Sequence, residues 1–212
     1  MSNARPRVTV ESLIRRAQRT TSGFGDLRRA ADEVVANQTR AGSLASAKQL
    51  FASEVYQARM VATFIFGLLA AQSREALSLM RERMSQDPDW RVQEILAQAF
   101  DRFCALIGYE RALPSIKAWL HDPNPPVRRA ASEGLRIWTR RPYFRDHPDQ
   151  AIALLSALRA DPSEYVRKSA GNALRDISRK HPDLIRAELR GWVLSDRATA
   201  QTHKLASRFI SD

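Results

Sequence analysis

Cysteine is almost missing from this chain. Cys104 is the only one in 212 residues, so no disulfide can form within it, and a reducing, cytoplasmic setting is expected. The four histidines, His121, His147, His181 and His203, are scattered without metal-ligand spacing, and no metal site is expected. Long hydrophobic runs are lacking too. The longest, Met60 to Ala71, has twelve residues, short of the roughly 20 that cross a bilayer, so it reads as a buried helix and no membrane partner is expected. Alternation of apolar and polar residues persists nowhere, which excludes strands. No glycine-rich loop precedes a lysine, and no serine sits in a nucleophile-elbow setting. Nucleotide hydrolysis and serine catalysis are therefore unsupported, and no cofactor is called for.

Acidic residues are in deficit. Against 34 Lys and Arg stand 23 Asp and Glu, a formal charge of +11, which points to a polyanionic partner, nucleic acid being the commonest. The excess is +4 over residues 1–106 and +7 over 107–212. With 44% apolar and 27% charged residues the composition is that of an ordered globular protein.

What the chain does have is a repeat. Asp122 to Arg141, DPNPPVRRAASEGLRIWTRR, returns 39 residues later as DPSEYVRKSAGNALRDISRK, with eight of twenty positions identical. A weaker copy, DPDWRVQEILAQAFD, begins at Asp87. Self-similarity near 40 residues with helical patterning inside each unit predicts an all-α fold, an α-α superhelix (solenoid) of HEAT-like repeats. Residues 1–212 are taken as a single domain, with N-terminal helices over 5–72 and the clearest repeats over 73–212. Met1 to Ala4 looks like a remnant of recombinant expression.

Helical phase gives each copy two faces. Val127, Ala131, Gly134, Leu135 and Trp138 form an apolar stripe opposite Arg129, Glu133, Arg136 and Arg140. In the later copy Val166, Ala170, Ala173, Leu174 and Ile177 oppose Lys168, Asn172, Arg175 and Arg179. In the earlier one Val92, Leu96, Ala99, Phe100 and Phe103 oppose Trp90, Glu94, Gln98 and Asp101. The same phase predicts helices over Val8–Thr20, Phe24–Arg40, 44–56, 58–72, 73–85, 110–121 and 151–159. Two more follow His181-Pro182. A turn is expected at Ala41-Gly42-Ser43 and a longer link through Tyr143, Phe144, His147 and Pro148. Asp-Pro pairs mark the junctions, because Asp accepts from free backbone N–H groups and Pro can start a helix.

Most charged stripes are solvated faces. This one mixes arginine with Trp90, Glu94 and Glu133 on equivalent helices, which suits guanidinium groups against phosphates and a ring against a base or sugar. Glu133 lies four residues after Arg129 and three before Arg136, so both cations can reach it. That favours an ionised carboxylate, a fixed anion or water-orienting base; the plain alternative is a salt bridge that only holds Arg136. Trp119, Trp138 and Trp192 fall on packing phases and are expected in the core.

At VRRAASEGLRIW, VRKSAGNALRDISRKHPDL and WRVQE the chain resembles the DNA alkylation repair family, the HEAT-like repeat DNA glycosylases of the AlkC/AlkD type. The resemblance implies excision of cationic N3- or N7-alkylated purines from double-stranded DNA without a metal; a monomer is expected. By position it makes Trp90 and Glu94 the aromatic and acidic pair facing the sugar, Arg129 a phosphate contact and Glu133 the Ser-Glu-Gly carboxylate. Catalysis would rest on Trp90, Glu94 and Glu133, and DNA binding on Arg129, Arg136, Lys168, Asn172, Arg175 and Arg179. Where AlkD-type members carry a second tryptophan this chain has Asn172, as AlkC-like relatives do. A non-catalytic DNA-binding module, or a HEAT scaffold for an acidic protein, would use the same stripe.

Overall fold

The computed structural model describes residues 9–210, and every regular element among them is helical. Their contacts gather into two compact units, Met1–Phe103 and Cys104–Asp212. The division falls thirty residues beyond the change in repeat clarity near residue 72, inside the helix Trp90–Ile107.

In the first unit α1 (Val10–Gln18), α2 (Gly25–Asn37), α3 (Arg40–Phe51), α4 (Tyr56–Leu69) and α5 (Arg74–Glu82) precede α6 (Trp90–Ile107). The apolar run forms α4, which is hydrophobic on nearly all sides and so must be covered on all sides; α1, α2, α3 and α5 pack around it. Gly67 lets α4 press on α6: a Cβ there would lie 2.7 Å from the Ala99 Cα. The chain turns from α1 to α2 at Gly23, with φ +71°, a conformation only glycine adopts freely. The expected turn at Ala41-Gly42-Ser43 is instead the start of α3. Thr39 accepts from the Gly42 N–H at 3.1 Å, a cap that lets the helix begin before the glycine.

The second unit holds α7 (Tyr109–Leu120), α8 (Pro125–Gly134), the short α9 (Pro142–Asp146), α10 (Pro148–Ser156), α11 (Glu164–Ser178), α12 (Pro182–Arg190) and α13 (Arg197–Ala206). At its centre α11 packs on α8, α10, α12 and α13. The three apolar stripes are buried as phased except at Gly134, which is half-buried, and Trp119, Trp138 and Trp192 are buried too.

Two expectations fail at α8. The helix stops at Gly134 rather than running through Trp138, because the Ser132 carbonyl that would accept from the next turn is taken by the Trp138 indole N–H at 2.9 Å. Arg136 N–H bonds to the Glu133 carbonyl instead, at 3.1 Å. The supposed link through Tyr143 and Phe144 is α9, which drives Phe144 into the core against Trp138, with ring centroids 4.8 Å apart.

The Asp-Pro junctions carry a device that composition does not reveal. Each aspartate accepts a backbone N–H two residues on: Asp89 N–H to Asp87 at 2.9 Å, Asn124 N–H to Asp122 at 2.8 Å, Ser163 N–H to Asp161 at 2.8 Å. The prolines stay in these turns and the helices begin two residues after them, at Trp90, Pro125 and Glu164. At two of these junctions an arginine of the preceding repeat also grips the aspartate. Arg59 holds Asp87 at 2.7 and 3.1 Å, and Arg128 holds Asp161 at 2.7 and 2.8 Å. The same guanidinium groups donate to carbonyls of their own junctions, Arg59 to Ser53 and Glu54, Arg128 to Asp122 and Pro123. Arg167 repeats the pattern, donating to the Asp161 and Pro162 carbonyls and reaching Gln201.

Candidate functional site

The candidate residues fall in both units. Trp90 and Glu94 stand one turn apart at the start of α6 in the first unit. Trp90 is the exposed tryptophan of the chain, at 58%, and Glu94 is half-buried. Arg91 beside them lies over the Trp90 ring and over Tyr56.

The second unit builds a connected group around Glu133. One carboxylate oxygen accepts from Arg136 Nη1 at 2.9 Å and the other from Ser169 Oγ at 2.9 Å. Ser169 Oγ in turn accepts from Ser132 Oγ at 2.9 Å, so a hydroxyl chain runs from α8 to α11 and back to the carboxylate. Arg136 also donates through Nε to Asp176 at 2.7 Å, and Asp176 accepts from Arg175 at 3.2 Å. Burial works against the charge on Arg136. The bonds to Asp176 and Glu133, with their negative charges, outweigh it and hold the guanidinium above its ordinary value. Glu133 remains partly open to solvent. A carboxylate held on both oxygens is rigid, and it keeps lone pairs for a water or a developing cation.

The other cations are arranged differently from the phased stripe. Arg129 is a buried residue, 9% exposed, with its guanidinium 4.2 Å from the Tyr165 ring centroid. Lys168 is exposed and pairs with Glu164 at 2.7 Å. Arg175 and Arg179 both approach the exposed ring of Phe209, at 5.7 and 4.5 Å. Asn172 is half-buried on α11. The structure thus joins Glu133, Arg136 and Arg175 through Asp176, and gathers Arg175 and Arg179 at Phe209. Lys168 and Arg129 each have other company. Among the described residues no three metal-binding side chains are grouped, and no helix is long and apolar enough to cross a membrane.

Ser169 and Asp176 were missed in the sequence. A faint signal for Ser169 exists: it occupies the register held by Ala130 in the preceding copy, so a hydroxyl stands where the repeat otherwise buries a methyl group.

The family described as DNA alkylation repair enzyme matches residues 23–204. AlkD2 from Streptococcus mutans is 47% identical with a TM-score of 0.93, covering 96% of this chain and 98% of that one. The structure of smu.31 from Streptococcus mutans UA159 is 45% identical with a TM-score of 0.90, covering 95% and 99%. The alkylpurine DNA glycosylase AlkC of Pseudomonas fluorescens, solved on DNA containing an abasic site analog, shares the fold at 24% identity and a TM-score of 0.50, over 94% of this chain and 63% of that one. An uncharacterized protein of Bacillus subtilis, YhaZ, is 38% identical over 91 residues, which are 41% of this chain and 26% of that protein's length. The all-α fold is accordingly one of HEAT-like helical repeats, and the chain belongs to the DNA alkylation repair enzyme family.

Proposed function

We propose that this protein binds alkylated duplex DNA and excises cationic N3- or N7-alkylpurines as a DNA N-glycosylase, acting as a cytoplasmic monomer without metal or cofactor. Family membership and the +11 charge support the DNA partner. The observation that carries the chemistry is Glu133, fixed by Arg136 and Ser169 at 2.9 Å each and still partly exposed. An alkylated purine is already a cation. When its glycosidic bond breaks, the electron pair leaves with the base, which becomes neutral, and positive charge develops on the sugar. No proton donor is needed. A preorganised anion stabilises the oxocarbenium-like sugar and orients the water that captures it. Trp90 and Glu94 are the further residues assigned to that step.

One observation favours a second reading, a DNA-binding repair protein without excision. Glu133 and Asp176 are balanced by Arg136 and Arg175 within the same network, so the field that a lone carboxylate would exert is muted. Incubation with methylated duplex DNA separates the two. Release of free 3-methyladenine or 7-methylguanine is expected, and Glu133→Gln should lower it by about a hundredfold or more while DNA affinity stays within about twofold. Tight binding with no release by the unaltered protein would establish the second reading. Full release by Glu133→Gln would reduce Glu133 to a salt-bridge partner.

A further inference from the structure

We propose that Tyr165 is a DNA-contact residue beside Glu133, presenting its ring to a base or sugar, and that Arg129 is a positioning residue that holds this ring rather than a phosphate contact. On α8 and just beyond it Arg129, Glu133 and Arg136 follow at spacings of four and three. On α11 Tyr165, Ser169 and Asp176 follow at four and seven. Each set therefore lies along one helical face. The two rows meet rung by rung. The Arg129 guanidinium carbon is 4.2 Å from the Tyr165 ring centroid, Ser169 Oγ donates to Glu133 at 2.9 Å, and Arg136 Nε donates to Asp176 at 2.7 Å. Tyr165 thus stands one helical turn from the hydroxyl that fixes the Glu133 carboxylate, on the same face of α11.

Exposure separates the two members of the first rung. Arg129 is 9% exposed and Tyr165 44%. A guanidinium that lies against a ring and is shielded from water has little surface left for a phosphate, whereas the ring keeps much of its own open. Arginine suits the supporting role, because its planar, delocalised group stacks on aromatic faces. It also restricts the tyrosine side chain before DNA arrives, which lowers the ordering cost of binding. An open ring among charged groups is a stacking surface that accepts any base, since every base has a flat face. At this level of the groove bound DNA meets the ring, and the guanidinium acts through it. The inference rests on DNA binding and not on excision.

Binding is measured by fluorescence anisotropy on labelled duplex DNA containing an abasic-site analog, which has no alkylated base to release. Tyr165→Ala should weaken binding about tenfold. Tyr165→Phe, which keeps the ring, should stay within about twofold of the unaltered protein. Arg129→Gln should weaken binding without changing the slope of log affinity against log salt, whereas loss of a phosphate contact would reduce that slope by about 0.9. Combining Arg129→Gln with Tyr165→Ala should cost no more than Tyr165→Ala alone. Thermal melting checks the fold of each variant. Should Arg129→Gln fail to fold, Arg129→Lys, which keeps the charge but loses the planar stack, should still weaken binding about threefold. Full affinity in Tyr165→Ala or Arg129→Lys, equal losses in Tyr165→Ala and Tyr165→Phe, or a reduced salt slope in Arg129→Gln would overturn the proposal while DNA binding stands. No binding by the unaltered protein would overturn it together with the DNA partner.

Discussion

Asp161 shows how much can depend on one side chain. It caps the turn before α11 and lies in a bidentate pair with Arg128, the two side chains only 5% and 9% exposed. Removing one member of such a pair leaves a desolvated charge without its partner, at a cost of about 3 to 5 kcal/mol. Asp161→Ala should therefore lower the urea midpoint sharply, whereas Arg145→Ala, which breaks the exposed pair with Asp146, should leave it unmoved. Arg128 illustrates what the sequence withheld. In VRRAAS the two arginines look interchangeable, yet Arg128 is bound into the repeat junctions while its neighbour Arg129 lies over Tyr165. The contacts to Asp161 and Tyr165 are made across the repeat, with residues more than thirty positions away, and helical phase cannot see that distance. Glu133 was legible in part. Its bond to Arg136 follows from a spacing of three, but Ser169 comes from another helix.

At the level of elements, phase worked where burial decides. The apolar stripes of α6, α8 and α11 are buried as expected, because a helix has only one way to hide a repeating set of side chains. It failed where a tertiary contact ends a helix, as Trp138 does to α8, and where a short cap starts one early, as Thr39 does to α3. Close helix contacts also escape periodicity, since glycine reads as a weak helix former. A Cβ at Gly171 would sit 2.8 Å from the Leu205 Cβ, and one at Gly67 2.7 Å from the Ala99 backbone. Gly171→Ala and Gly67→Ala should each destabilise by about 1 to 3 kcal/mol as the helices are forced apart, seen as a lower Tm despite alanine's better helix propensity. α13 has a pH dependence of its own. Backbone and side-chain bonds from Thr199 and the Ala198 N–H hold the Asp196 carboxyl below the usual aspartate range. A depressed folded value contributes stability above the unfolded pKa, and that stability is lost as pH falls through the folded one. Amide exchange in α13 should accelerate in strong acid, and Asp196→Asn should flatten that response.

For the molecule as a whole the charge of +11 overstates what DNA can use. Arg136 is committed to two carboxylates and Lys168 shares its charge with Glu164. Binding to duplex DNA should weaken with salt, with a slope of log affinity against log salt of about −2 to −4, near −0.9 for each phosphate neutralised. A flat dependence would point to an acidic protein partner held by few charges. The clamps between repeats bear on how such a chain can grow. Arg128 binds backwards to its own junction and forwards to the next aspartate, and Arg167, at the same register, begins the next step. Residues 123–161 therefore form a cassette with matching ends: a tandem duplicate of that segment would present an aspartate to the arginine before it and an arginine to the aspartate after it. Lengthening by whole cassettes keeps every junction satisfied, while an insertion of any other length strands an arginine. The grammar of the junctions, more than the apolar cores, sets the increments in which this architecture can evolve.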